Sequence, residues 1–166
     1  ISADSGVSTN SIYTRFGDKS GLFSAVVKPA ADGLMEIYLG SISEASVCGS
    51  ANTAIDMGGD GTEQVLKYIY DNLDAFRLIF CNSAGTEYED YFDRLAETEE
   101  KFYREFVRKY AREPQKISDF FIHVVCRTRW QYVFEVVSHD IPYDEAQGFM
   151  KCIREYSFAG WKRVME

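Results

Sequence analysis

Only three prolines, Pro29, Pro114 and Pro142, break a chain of 166 residues. Between them apolar side chains recur three and four positions apart, which is the period of a buried helix face. No stretch alternates with period two for long enough to make a strand, so the chain is expected to be all-α. The clearest segment is 86–112, where Tyr88, Tyr91, Phe92, Leu95, Phe102, Phe106 and Tyr110 fall on one stripe. Thr86 with Glu89 reads as a capping box, and Pro114 as a stop. Charge along this segment follows the helix dipole: residues 87–100 hold seven acids and one base, and 101–112 hold five bases and one acid. Asp60 with Glu63 reads as a second capping box, opening a helix over 60–70. Further helices are expected over 73–81, 117–137 and 143–165. Residues 41–61, rich in Ser, Gly, Ala and Asn, read as a loop or a frayed helix end, with a turn at Gly58-Gly59-Asp60-Gly61.

Several function classes are disfavoured early. No apolar run approaches the ~18 residues of a membrane span, and no basic segment followed by an apolar one opens the chain as a signal peptide would. A cytoplasmic protein without membrane contact is expected. Cys48, Cys81, Cys126 and Cys152 form no CxxC pair, and His123 and His139 are the only histidines. Such spacing supports neither a metal site nor a disulfide framework. Four reduced, mostly buried thiols are expected, with no metal and no cofactor. The Gly58–Gly61 run lacks the lysine of a phosphate loop. His139-Asp140 is not accompanied by a nucleophile elbow. The chain is not expected to be an enzyme. Its 18 Lys+Arg against 26 Asp+Glu leave a net charge of -8, which taken alone argues against binding phosphates.

The first 27 residues, ISADSGVSTNSIYTRFGDKSGLFSAVV, read differently. Residues 1–5 look like the end of a helix. Gly6 suits a tight turn, and Val7 is placed to plug inward. Ser8 is a good cap for a short helix over 9–15, on which Ile12 and Phe16 turn inward. Asp18 caps a third helix, with Leu22, Phe23 and Val26 on its buried side. Helix, glycine turn and short polar helix make a helix-turn-helix.

This segment resembles the DNA-binding domain of the tetracycline-repressor (TetR) family of bacterial transcriptional regulators. Ile1, Gly6, Val7, Ser8, Ile12, Tyr13, Phe16, Lys19 and Leu22 match that family's pattern in register without a gap. Ser2, Arg15 and Gly21 depart from it, and Gly21 is expected to weaken the start of the third helix. The family's domain opens with a basic arm and a first helix, so the sequence is expected to begin inside the second. The charge conflict then eases. Residues 1–28 carry Arg15, Lys19 and Lys28 against Asp4 and Asp18, net +1, and the remainder carries -9.

The resemblance implies a two-part layout: residues 1–40 form the DNA-binding domain with its connecting helix, and 41–166 form a helical ligand-binding and dimerisation domain. It implies that the helix over 9–14 enters the major groove of double-stranded operator DNA. Thr9, Asn10 and Ser11 would reach base edges, with Thr14 beside them, while Ser8, Tyr13 and Lys19 would contact phosphates. A homodimer is implied through the last two helices, where Ala146, Phe149, Ile153, Ser157, Gly160 and Val164 share a side. A small-molecule inducer is implied in the body. Candidate lining residues are Phe76, Phe80, Tyr88, Tyr91, Phe92, Phe102, Phe106, Phe121 and Trp130, with His123 or Arg127 as a polar anchor. Asp119, His123, Arg127, Gln131 and Glu135, spaced four apart, read either as a solvated stripe or as a polar pocket wall. Pro29 marks a hinge or a break in the connecting helix. The rival readings are a helical interaction module without DNA binding and, behind it, a small-molecule enzyme.

Overall fold

The structure is a computed structural model that describes residues 6–46 and 51–166, with side chains described for 6–45 and 61–166. Seven α-helices and no strand are found among the described residues: α1 Thr9–Phe16, α2 Lys19–Ser46, α3 Ala51–Asp71, α4 Leu73–Asn82, α5 Tyr91–Tyr110, α6 Asp119–Ser138 and α7 Tyr143–Met165. A 3-10 turn at Pro114–Lys116 separates α5 from α6. The all-α expectation holds. None of the described helices is long and apolar enough to cross a membrane.

Local chemistry explains most boundaries. The Ser8 hydroxyl accepts the Ser11 N–H at 3.1 Å and starts α1. Gly17, at φ 79°, ends it by donating its N–H to the Tyr13 carbonyl. Asp18 Oδ1 accepts the Gly21 N–H at 2.8 Å at the start of α2. Gly21 does more than weaken this start. A Cβ there would lie 2.0 Å from the Phe16 carbonyl oxygen, so glycine is what lets α2 begin against the end of α1. Ser118 caps α6 by accepting the Phe121 N–H. The last helix, over 143–165, has the expected bounds, with acids Asp144 and Glu145 in its first turn and Lys162 and Arg163 in its last.

Other expectations are corrected. The helix over 86–112 begins only at Tyr91. Thr86 and Glu89 shape a turn instead: the Thr86 hydroxyl accepts the Tyr88 N–H, and Glu89 reaches back to the Gly85 N–H at 2.9 Å. Gly85, at φ 76°, reverses the chain there. Asp60-Glu63 opens no helix, because α3 already runs from Ala51 and carries Gly58–Gly61 inside it; the Asp60 side chain lies outside the described residues. The supposed loop over 41–61 is helical through Ser46 and from Ala51, and residues 47–50 lie outside the described residues. Residues 1–5, read as a helix end, and Cys48 lie outside them too. Pro29 does not break α2, which is continuous across it. Val7 is 44% exposed rather than plugged inward, and it is Val27, at 0%, that is buried while Val26 is exposed. Of the three described thiols Cys126 is buried, and Cys81 and Cys152 are exposed.

The main core lies along α2. Val27, Ala30, Ala31 and Leu34 meet Val65, Leu66 and Ile69 of α3, Phe76 and Ile79 of α4, and Tyr91, Leu95 and Ala96 of α5. Trp130, Val133, Val136 and Val137 of α6 and Ala146 and Met150 of α7 complete it. A smaller cluster of Val107, Ile122, Cys126 and Trp161 closes the far end. There the Arg112 N–H donates to the Met165 carbonyl and ties the ends of α5 and α7 together. Buried Tyr91 donates its hydroxyl to the Ala31 carbonyl at 2.7 Å, and burial pushes its pKa well up. Tyr91→Phe removes that bond at nearly constant volume. It should cost about 1 kcal/mol, read as a lower urea midpoint with an unchanged slope.

Candidate functional site

Glu99 interrupts an otherwise apolar stripe on α5. It follows Leu95 by one turn and precedes Phe102 and Phe106, so the helix carries it inward to 4% exposure. Its Oε1 lies 3.1 Å from Arg129 of α6. Arg129 also donates to the Tyr103 hydroxyl and reaches Thr62 Oγ1 on α3 at 3.5 Å. One guanidinium thus ties α6 to both α5 and α3. Its planar fork suits this, because it offers several donors at fixed angles.

This pair sits in the wall of a cavity of about 80 Å³. Tyr38, Ser41, Ile42 and Ala45 of α2 form one side, and Gly61, Thr62 and Val65 of α3 another. Phe102 and Tyr103 stand beside Glu99, with Trp130 and Val133 beside Arg129, and Met150 of α7 closes the lining. The Tyr38 ring meets Trp130 edge-on at 5.1 Å. Two polar atoms in this wall are buried and have no hydrogen-bond partner among the described residues: the acceptor Glu99 Oε2 and the donor Trp130 Nε1. Burial raises the Glu99 carboxyl pKa, with Arg129 and Tyr38 pulling it partly back. Burial also pushes the Tyr103 hydroxyl up to about 12. For Arg129 burial works against the charge, but Glu99, Tyr103 and Tyr38 outweigh it and leave the guanidinium pKa raised.

The neighbouring buried acid behaves differently. Glu100 is 5% exposed, yet Oε1 pairs with His123 Nδ1 at 2.7 Å and Oε2 with Arg104 at 2.8 Å. Both of its oxygens are satisfied within the protein.

The expected ligand residues do not converge on one cavity. Phe102 and Trp130 line the one beside Glu99. Phe80, Tyr88 and Phe92 line a separate cleft of about 170 Å³ between α4, α5 and α6. Phe76 and Tyr91 are sealed in the core, and Phe106 lies in a run of rings between Phe102 and Tyr110. Phe121 is on an outer groove against Trp161. His123 pairs with Glu100, and Arg127 pairs with Asp93, so this part of the four-spaced stripe faces α5. Tyr38, Glu99, Tyr103 and Arg129 were not anticipated. An acid in the gap of an apolar stripe was the available signal for Glu99.

At the other end of the molecule α1 has no buried residue. Tyr13 is 54% exposed, and Asn10 and Lys19 are exposed with it. Ser8 and Ser11 share a contact at 2.8 Å within the helix cap, and the Thr14 hydroxyl donates to the Asn10 carbonyl. On α6 and α7 a groove of about 300 Å³ runs along Phe121, Val125, Thr128, Tyr132, Tyr156, Ser157, Gly160 and Val164. Phe149, Tyr156 and Val164 of α7 are exposed, Ile153 and Ser157 are half-buried, and Ala146 turns fully inward.

No protein-family model, no curated protein and no solved structure matches the chain.

Glu99 gives this site a pH signature. Its folded pKa lies above the ordinary 4.5, so the folded state holds the proton more tightly than the unfolded one. The stability it contributes is fully present below the ordinary carboxyl pKa and is lost as pH rises through the raised value. The stability of the unmodified protein relative to Glu99→Gln should therefore grow as pH is lowered toward 4.5. Urea unfolding across that range reads the difference, and a flat or opposite trend contradicts this account of Glu99.

Proposed function

We propose that the chain is a DNA-binding transcriptional regulator of the kind its first residues resemble, a two-fold dimer whose grip on operator DNA is set by a small molecule held in the body. The observation that carries this reading is α1. It is a short helix of eight residues, and an α-helix with its side chains, about 10–12 Å across, fits the ~12 Å width of the major groove. It has a serine cap, Gly6 at φ 67° before it and Gly17 at φ 79° after it. None of its residues is fully buried, Ile12 and Phe16 being half-buried, and it presents Asn10 and Tyr13 outward. In this reading Asn10 meets base edges while Tyr13 and Lys19 meet phosphates. Ser8 and Ser11 contribute mainly by holding the helix start in shape, since each is engaged with the other. Layout follows the same reading: α1 and the first part of α2 are the head, and the rest of the chain is the body. A bacterial cytoplasmic setting goes with it.

The partner of the α6–α7 groove is a second copy of the chain. Exposed Phe121, Val124, Phe149, Tyr156 and Val164 offer apolar area on two adjacent helices, and a two-fold axis lets one such surface cover its own copy. The rival reading, an interaction module without DNA binding, draws on the net charge of -8 and is separated by the DNA experiment below.

With the basic arm and first helix of the resembled domain placed ahead of residue 1, selection of bound sequences from random DNA should return a palindromic site. Tyr13→Phe and Lys19→Ala should weaken binding to all sequences alike, with Lys19→Ala lowering the salt slope by about one. Asn10→Ala should instead change preference at one position per half-site by about 1–3 kcal/mol. No selected site at all would favour the interaction module.

Assembly has its own check. Nothing lies within 4 Å of a Cβ placed at Gly160, which lines the groove of α6 and α7, so Gly160→Trp starts its side chain in open space and projects it into the surface a second copy would cover. Sedimentation should show a dimer for the unmodified protein and a shift toward monomer for the variant, with unchanged circular dichroism. A dimer buries more than about 1,200 Å² in total; a monomer at micromolar concentration would rule it out.

A further inference from the structure

The cavity beside Glu99 holds one acid and one base that already face each other. A carboxylate ligand placed there would confront Glu99 Oε2, and an ammonium ligand would confront Arg129, so each brings a repulsion the cavity has no spare charge to offset. Among the described residues Glu99 Oε2 has no donor within hydrogen-bond distance and Trp130 Nε1 no acceptor, although the Tyr38 hydroxyl lies on the same wall and favours the Glu99 carboxylate. The Glu99 and Trp130 side chains are both more than nine-tenths buried. We propose that this cavity binds a small uncharged molecule through a head that donates to Glu99 and accepts from Trp130, as a primary carboxamide does.

Size points the same way. The volume of about 80 Å³ is several times what one water needs and about half of a cavity known to take benzene at about 150 Å³. It therefore suits a compact polar head rather than a ring system. Phe102, Tyr103 and Tyr38 supply flat apolar walls for the planar amide or for the short apolar group attached to it. A buried carboxylate oxygen and an indole N–H are costly to leave unpaired, so a ligand that pairs both is selected over one that pairs neither. As an inducer class this assignment rests on the regulator reading; as a statement about binding it does not.

Binding is read on the free protein by the indole N–H signals of Trp130 and Trp161 in nitrogen-15 correlated spectra, with Trp161→Phe assigning the two. The probes are propionamide, propionate and propylammonium, which share a body and differ in the charge of the head. Propionamide should shift the Trp130 signal saturably and leave Trp161 in place. Propionate and propylammonium should bind at least about tenfold more weakly, which is about 1.4 kcal/mol. Glu99→Gln should weaken propionamide by a similar factor. Should that variant fold poorly, Val133→Phe, which fills the cavity from α6, should abolish the Trp130 shift. Equal responses to the three probes, or a Trp130 signal that no probe saturates, would overturn the assignment. A saturable amide response whose ligand leaves the affinity for a selected DNA site unchanged would uphold the cavity chemistry and remove the regulatory role.

Discussion

Val27, Ala30, Ala31 and Leu34 form a seam on α2 that is closed to water, and α1, α3, α4 and α5 all pack on this helix. The seam works because its residues are small where neighbours cross. A Cβ on Gly33 would lie 2.1 Å from the Tyr68 hydroxyl, and the Tyr91 hydroxyl lands on the Ala31 carbonyl. Larger side chains at these places would hold α3 and α5 away from the seam. α2 also joins the two ends of the molecule: its start lies against Phe16 of α1, while Tyr38, Ser41, Ile42 and Ala45 wall the cavity. With 28 residues it spans about 42 Å.

The paired acids Glu99 and Glu100 show how one position along a helix separates structure from chemistry. Glu100 spends both oxygens on His123 and Arg104 and fastens α5 to α6. Glu99, turned about 100° further round the helix, spends one oxygen on Arg129 and keeps the other buried. Leaving a polar atom in that state costs about 1–3 kcal/mol. A well-packed apolar pair would avoid the cost, and often matches a buried ion pair in stability. Retaining the acid therefore makes more sense for recognition than for stability.

The fold class was legible because helix periodicity is local: it needs only the spacing of apolar residues between breakers. The expected bounds over 143–165 held, and those over 73–81 and 117–137 were close, since Asn72, Ser118 and Pro142 act on their own neighbours. The segment over 86–90 was misread because Thr86 and Glu89 satisfy the chemistry of a turn as well as that of a helix start. Gly85 and the burial of Tyr88 decided between them. In the same way Val26 and Val27 are equivalent by composition, and only the direction from which α3 and α5 approach chose Val27.

Sequence alone determined that the chain is helical, where its last helices lie, and that its opening residues suit a short capped helix between two glycine turns. Those properties depend on bonds between residues within a turn or two of one another. Tertiary structure decided which aromatics would line a cavity and which would fill the core. It separated Phe80 from Phe102 and brought Glu99 within reach of Arg129, thirty positions along the chain. Periodicity gives the face of a helix but not its partner, and a buried charge shows its role only when the group opposite is known.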